Sequence, residues 1–185
     1  MAQSKNNVIT HGLSGKVGNL IIFSQRKGKT IVSRIPRTKG ELTPNQIAHQ
    51  EQFLFATGYA KAAIVDPDLK VGYEIQAQIR NISPYNCAVG DFLTAPQITN
   101  VNTALYTGTV GNKILIRAID DFMVKSVHVR IEEADGTLIE EGAATENLAH
   151  WEYVATVVNS TLPGTKIIVT AKDLPGNETV KEVTL

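Results

Sequence analysis

Cysteine is almost absent from this sequence of 185 residues, which contains only Cys87. One cysteine cannot form a disulfide within the chain, so the sequence excludes the small secreted folds that disulfides hold together. Long hydrophobic runs are lacking too, since no stretch approaches the roughly 18 apolar residues of a membrane-spanning helix. The opening MAQSKNNVITHGLSGK has no apolar core of a signal peptide. We therefore expect cytoplasmic synthesis and no membrane partner.

The residues from which catalytic and metal sites are usually built are also scarce. The four histidines lie in different segments, with no cysteine or histidine at ligand spacing. No serine has the surroundings of a nucleophile elbow, and Cys87 falls within a predicted helix as a small core residue. We expect no catalytic residues, no cofactor and no metal, and hence no enzyme. The sequence leaves one possibility open, which is calcium binding by Asp120, Asp121, Asp135 and Asp173 at one end of the C-terminal fold.

Gly28-Lys29-Thr30 resembles the end of a phosphate-binding loop, but its context does not fit. Such a loop needs a glycine five residues earlier, where this sequence has Phe23. It also needs a following helix, whereas Ile31 and Val32 continue a strand pattern. The triplet therefore predicts a turn rather than a nucleotide site.

The charges are unevenly distributed along the chain. The 18 Lys and Arg balance the 18 Asp and Glu, yet residues 1–39 contain eight bases and no acid, which leaves a net charge of −8 on residues 40–185. Such a basic block indicates a solvated strand pair, head-to-tail association of identical subunits, or contact with nucleic acid. For an assembly interface the candidates are Lys16, Arg26, Lys27, Lys29, Arg34 and Arg37.

The N-terminal part combines a predicted β-hairpin with three predicted short helices. Residues 19–24 and 30–35 are rich in β-branched residues and flank a turn at Gly28. The run HGLSGKVG before them has three glycines, which suits a sharply bent backbone. Proline follows a capping residue at Thr43-Pro44, Asp66-Pro67 and Ser83-Pro84, which predicts three helix starts. The expected apolar faces are Phe53, Ala56, Ala60 and Ala63, then Val71, Ile75 and Ile79, then Tyr85, Ala88, Val89 and Phe92.

After Pro96 the pattern changes to short strands with a period of two. One predicted strand face consists of Met123, Val127, Val129 and Ile131, with polar residues on the other face, and Asp135-Gly136 then predicts a turn. About seven such strands in roughly 90 residues predict an immunoglobulin-like β-sandwich, with Trp151 in its core.

Near its end the chain has Ala171, Asp173, Gly176 and Asn177 in the pattern A-x-D-x-x-G-N. Bacterial immunoglobulin-like domains commonly end in this pattern, and the last half of the chain resembles their closing strands. The resemblance implies a spacer, adhesion or interaction module of cell surfaces, phages or filaments, and it names no ligand.

The front half contains the run HGLSGKVG, Phe23, Gly28-Lys29, Arg34, Pro36 and Thr43-Pro44-Asn45-Gln46. These residues resemble the opening of an uncharacterised family of Bacteroidota proteins that look phage-like or surface-assembly-like. It implies a bacterial source and a structural role, with no activity to carry over.

These observations predict an α+β protein, mainly β, with a basic hairpin and helical assembly region at 1–96 and an immunoglobulin-like β-sandwich at 97–185. We expect a non-enzymatic structural protein that self-assembles into a filament, tube, ring or virion component. Its partners would be its own copies or other structural proteins, first in the bacterial cytoplasm and then in a virion or extracellular assembly. The alternative is a nucleic-acid-binding accessory protein that uses the same basic arm. Against it, Phe23 is the only aromatic residue of the arm on which a base could stack.

Overall fold

The computed structural model describes residues 8–26, 28–35 and 40–185, together with the backbone of Ala2–Ser4. The chain forms two compact units, Met1–Gln46 and Ile47–Leu185. This division differs from the boundary predicted after residue 96, because it groups most of the helical segment with the C-terminal strands. The fold is a mixed α+β structure with three helices and three antiparallel sheets, and it contains more strand than helix.

The N-terminal unit contains one antiparallel sheet in the order β1-β4-β3-β2. Its strands are β1 (Ala2–Ser4), β2 (Gly15–Val17), β3 (Ile21–Arg26) and β4 (Lys29–Arg34). The predicted hairpin is confirmed as β3 and β4. The bends predicted for the glycine run are confirmed as well, since Gly12, Gly15 and Gly18 all have positive φ angles. The two edge strands were missed, because three residues are too few to show a period of two.

All three helices begin at the prolines predicted from the sequence. They are α1 (Pro44–Ala63), α2 (Pro67–Arg80) and α3 (Pro84–Leu93). The side chains of Asp66 and Ser83 accept hydrogen bonds from backbone amides in the first turns of α2 and α3. At the start of α1, the amides and side chains of Thr43 and Gln46 form reciprocal hydrogen bonds, a capping box. The predicted shortness of α1 is wrong, since this helix has 20 residues.

The predicted apolar faces of the first two helices are only partly right. Helix α1 buries Ala56, Ala60 and Ala63 as expected, but Phe53 is exposed. The apolar face predicted for α2 is wrong. This helix buries Tyr73 and Ala77, whereas the predicted residues Val71, Ile75 and Ile79 are exposed.

An aromatic contact explains why α2 is rotated away from its predicted orientation. The ring of Tyr73 stacks on that of Phe122, with 4.2 Å between the ring centroids. Phe122 also lies so close to Gly72 that a Cβ atom there would be 2.6 Å from the Phe122 ring. This side of α2 therefore faces the loop around Phe122, and the aliphatic stripe faces away from the interior.

Eight strands follow the helices and form two antiparallel sheets, β5-β6-β10-β9 and β12-β11-β7-β8. The strands are β5 (Gln97–Asn102), β6 (Lys113–Ile119), β7 (Val124–Glu132), β8 (Leu138–Ala143), β9 (Thr145–Asn147), β10 (His150–Val154), β11 (Lys166–Asp173) and β12 (Glu178–Thr184). Both sheets contribute side chains to a single hydrophobic core. The alternation predicted for β7 is confirmed for Val127, Val129 and Ile131, which are buried, and for His128, which is exposed. Met123, predicted on the buried face, lies before the strand and is exposed.

The central position predicted for Trp151 is wrong. Its ring is only partly buried and packs against the margin of the core, whereas Tyr153 on the same strand is buried. Trp151 pairs with Glu146 of β9, an edge strand of only three residues. The buried aromatic residue of this strand is therefore Tyr153.

Candidate assembly surface

The N-terminal sheet separates its residues into two faces of different character. Residues opposite each other in neighbouring strands point to the same side, and successive residues alternate. The register places one set of side chains together, which we call the basic face: Lys16, Ile22, Ser24, Arg26, Lys29, Ile31 and Ser33. The opposite set is the apolar face: Val17, Ile21, Phe23, Gln25, Thr30, Val32 and Arg34.

The structure thus brings together three of the six interface candidates. Lys16, Arg26 and Lys29 are exposed on the basic face. Arg34 is also exposed but belongs to the apolar face. Lys27 and Arg37 lie outside the described residues. The sequence suggested a charge cluster but could not sort its members by face, because that requires the strand register.

The positive charges of the basic face have no salt-bridge partner among the residues that the structure describes. Arg26 and Lys29 are directly opposite each other across β3 and β4, and like charges in that position destabilise a strand pair. Within the described ranges, Lys16, Arg26, Lys29 and Arg34 take part in no salt bridge. An acidic surface placed on this face would therefore relieve a repulsion as well as add attractions.

The apolar face is organised around one buried polar residue. Thr30 is the only buried residue among the described residues of 1–46. Its hydroxyl accepts hydrogen bonds from the amide of Gly12, at 3.2 Å, and from the side chain of Gln25, at 2.8 Å. Gln25 also donates to the carbonyl of Leu13 at 2.8 Å. These contacts hold the glycine-rich loop against the strands.

No hydrophobic side chain is fully buried in the described part of the N-terminal unit. Val17 and Leu20 are exposed, and Ile21, Phe23 and Val32 are only partly buried. Small sheets need a packed hydrophobic face, or a covering element, for independent stability. The unit therefore lacks a core of its own in the residues that the structure describes, and its apolar side chains remain available for contact with a partner.

A second group of functional interest lies in the interior of the other unit, between the helices and the strands. The hydroxyl of Tyr73 donates a hydrogen bond to the Oδ2 atom of Asp91 at 2.6 Å. The hydroxyls of Tyr59 and Tyr73 are 2.9 Å apart, and because the proton of Tyr73 is used toward Asp91, Tyr59 is the donor in this pair. The result is a hydrogen-bond chain that joins all three helices.

The hydrogen-bond chain through the two tyrosines ends at a pair of carboxyl groups, those of Asp91 and Asp120. Asp91 is buried, and its Oδ1 atom has no hydrogen-bond partner among the described residues; the same is true of the buried Oδ1 atom of Asp120. Burial, opposed by the hydrogen bond from Tyr73 and reinforced by nearby Asp120, raises the pKa of Asp91 to about 7. One proton shared between the two carboxyls would satisfy both orphan oxygens. The sequence analysis missed this pair, because Asp91 and Asp120 are far apart in the sequence and only the fold brings them together.

The calcium site considered for four aspartates is not assembled. Asp135 lies in the turn after β7, at the end of that strand opposite to Asp120 and Asp121. Asp121 forms a salt bridge with Arg80 at 3.3 Å. The buried Asp173 accepts hydrogen bonds from the amides of Gly176 and Asn177. No group of three or more metal-binding side chains is present within the described ranges.

Two clefts flank α2, and both are lined by ordinary surface groups. One of about 370 Å³ is lined by Glu74, Ala77, Gln78, Asn81, Ile82 and Pro84. The other, of about 250 Å³, is lined by Ile64, Lys70, Glu74, Ser83, Pro84 and Tyr85. The hydroxyl of Ser83 caps α3, and neither lining contains a histidine or cysteine. The clefts thus offer no nucleophile with an adjacent base of the usual kind.

None of the helices in the described ranges is long and apolar enough to cross a bilayer.

Comparisons with known proteins supply no further guide. No protein-family model, curated protein or solved structure matches the chain. The assignment of function therefore rests on the sheet, its charges and the fold.

Proposed function

We propose that this protein is a non-enzymatic structural protein that self-assembles through its N-terminal sheet into a filament, tube, ring or virion component. The observation that carries the proposal is a sheet without a buried hydrophobic side chain in its described residues, one face of which bears uncompensated positive charge. Such a sheet gains both apolar burial and counter-charges when another subunit covers it.

The charge balance favours a second copy of the same chain as the partner. The segment 1–39 carries eight positive charges, and residues 40–185 carry a net charge of −8. Each copy thus offers a surplus of one sign at its N-terminal end and an equal surplus of the other sign elsewhere. Contact between two different surfaces of identical chains is head-to-tail, and it generates rings or open filaments.

The strand order supports an immunoglobulin-like assignment for the C-terminal strands. The order β5-β6-β10-β9 corresponds to strands A-B-E-D, and β12-β11-β7-β8 corresponds to G-F-C with an added strand beside C. The pattern formed by Ala171, Asp173, Gly176 and Asn177 spans the turn between β11 and β12, where the Asp173 carboxylate holds two backbone amides. We infer a bacterial module that projects from the assembly or stacks within it.

A charge-reversal experiment tests this proposal directly. The double variant Arg26→Glu and Lys29→Glu should abolish large particles in light scattering, because it replaces attraction with repulsion at the basic face. The matched control Lys61→Glu and Lys125→Glu makes the same change in net charge at exposed positions outside the sheet. Assembly by the basic-face variant at the wild-type level would contradict the proposal.

Nucleic-acid binding is the second candidate, and one observation favours it. Lys16, Arg26 and Lys29 share one face, as a phosphate-binding surface requires. Phe23, however, lies on the opposite face, so the described part of the basic face has no aromatic side chain for stacking. We expect no more than weak, salt-sensitive DNA binding. Tight binding by the monomer at physiological salt, with a slope of log affinity against log salt that implies several phosphate contacts at about 0.9 each, would favour this candidate instead.

A further inference from the structure

Helix α2 carries a second apolar surface on the side opposite to its buried residues. Val71, Ile75 and Ile79 follow each other at intervals of four, so they form one stripe along the helix. Their exposed fractions are 58%, 55% and 73%. Asp68, three residues before Val71, lies on the same side and is exposed. We call these four residues the outward face of α2.

The charges around the outward face are largely neutralised, with one exception. Lys70 pairs with Glu74 at 3.9 Å, and Arg80 pairs with Asp121 at 3.3 Å. Asp68 forms no salt bridge with any residue that the structure describes. The outward face is therefore an apolar stripe with a negative charge at its N-terminal end.

The basic face of the N-terminal sheet has a complementary arrangement over a similar length. Ile22 and Ile31 lie beside Ser24 and Ser33, and Arg26 and Lys29 stand together at the hairpin end. From Ile22 to Arg26 the strand rises about 13 Å, at 3.3 Å per residue. From Asp68 to Ile79 the helix rises about 16 Å, at 1.5 Å per residue. Apolar groups can therefore meet apolar groups while Asp68 meets the hairpin end.

We propose that the outward face of α2 is the surface on which the basic face of a second copy of this chain docks. The inference rests on the proposed function and adds to it the acceptor surface and the orientation. Arg26 and Lys29 of one copy lie beside Asp68 of the next, and Ile22 and Ile31 cover the aliphatic stripe. Because donor and acceptor are different surfaces, each copy can bind one neighbour on either side, and the contact propagates.

Mixing two complementary variants tests this pairing. The donor variant Arg26→Glu and Lys29→Glu has an intact α2, and the acceptor variant Ile75→Arg has an intact sheet. Each variant alone should be monomeric by light scattering. Their equimolar mixture should stop at a heterodimer, since only one intact donor and one intact acceptor can meet. The matched control Val158→Arg, at a site with 62% exposure, should assemble like the wild type.

A charge swap tests the orientation independently. Lys29→Glu and Asp68→Lys should each weaken assembly, whereas the chain that carries both should recover part of it, because every interface then regains an opposite pair. If Ile75→Arg assembles like the wild type while the donor variant does not, the sheet binds another surface and only this inference fails. A wild-type chain that is monomeric at all concentrations contradicts the proposed function itself.

Discussion

Asp91 links protonation to folding at the scale of a single residue. Its pKa is about 7 in the folded chain against 3.8 for an ordinary aspartate, mainly because burial disfavours the charged form. Between pH 4 and pH 7 the folded state therefore binds more protons at this site than the unfolded state. The free energy of unfolding must fall as pH rises through this window, and this contribution is lost above it.

We therefore predict that the chain is more stable at pH 5 than at pH 8, and that Asp91→Asn removes most of this difference. An asparagine keeps the shape, accepts from the Tyr73 hydroxyl and offers its amide to the orphan oxygen of Asp120. Each unit of pKa shift corresponds to about 1.4 kcal/mol. The decrease in the free energy of unfolding with pH should therefore be measurable by thermal unfolding across this pH range.

The control for this prediction is Glu146→Gln, which neutralises an exposed carboxyl on β9. It should leave the pH dependence as in the wild type. If the free energy of unfolding changes equally with pH between pH 5 and pH 8 in Asp91→Asn and in the wild type, the proposed link between folding and protonation of Asp91 is contradicted.

At the scale of secondary-structure elements, the sequence predicted the features that depend on neighbouring residues in the chain. Proline after a capping residue located every helix start, and the period of two located the interior of β7. The orientation of α2 could not be predicted from its own sequence, because its exposed aliphatic stripe has the spacing of a core face. Its buried residue, Tyr73, stacks on Phe122 and donates a hydrogen bond to Asp91, and both partners come from other segments of the chain. The grouping of Lys16, Arg26 and Lys29 likewise depends on strand register.

Helix α1 should respond differently to changes on its two sides. Ala60 is fully buried, and enlarging it to leucine should cost about 1–3 kcal/mol because the added atoms have no room. Leu54 is 68% exposed, so Leu54→Ala should change the free energy of unfolding by less than about 0.5 kcal/mol. Urea unfolding distinguishes the two variants. A larger loss for Leu54→Ala would show that the alanine side is not the packed side.

The division of the chain makes a related prediction about fragments. Fragment 97–185 lacks Tyr73, on which Phe122 stacks, and also the Phe92 carbonyl that accepts from Asn177 at 3.1 Å. Both 47–185 and 97–185 should melt cooperatively, with the longer fragment higher by on the order of 10 °C. Phe122→Ala in the longer fragment should remove part of that gain. Equal melting temperatures would support the boundary after residue 96.

At the scale of the whole molecule, the central feature is the separation of charge within a neutral chain. Residues 1–39 hold eight bases and no acid, and the rest of the chain has a net charge of −8. Neutral overall charge permits close approach of copies, and the polarity favours head-to-tail contacts over contacts between like surfaces. Because the described basic residues are exposed, salt should weaken such contacts by screening.

The most direct test of self-assembly is the mass of the full chain in solution, measured by light scattering while salt increases from about 50 mM to about 1 M, where the screening length falls to about 3 Å. We predict particles much larger than the 20.1 kDa monomer at low salt. Their mass should fall with increasing salt and rise with protein concentration. A mass of 20.1 kDa at every salt and protein concentration would contradict self-assembly as the function of this protein.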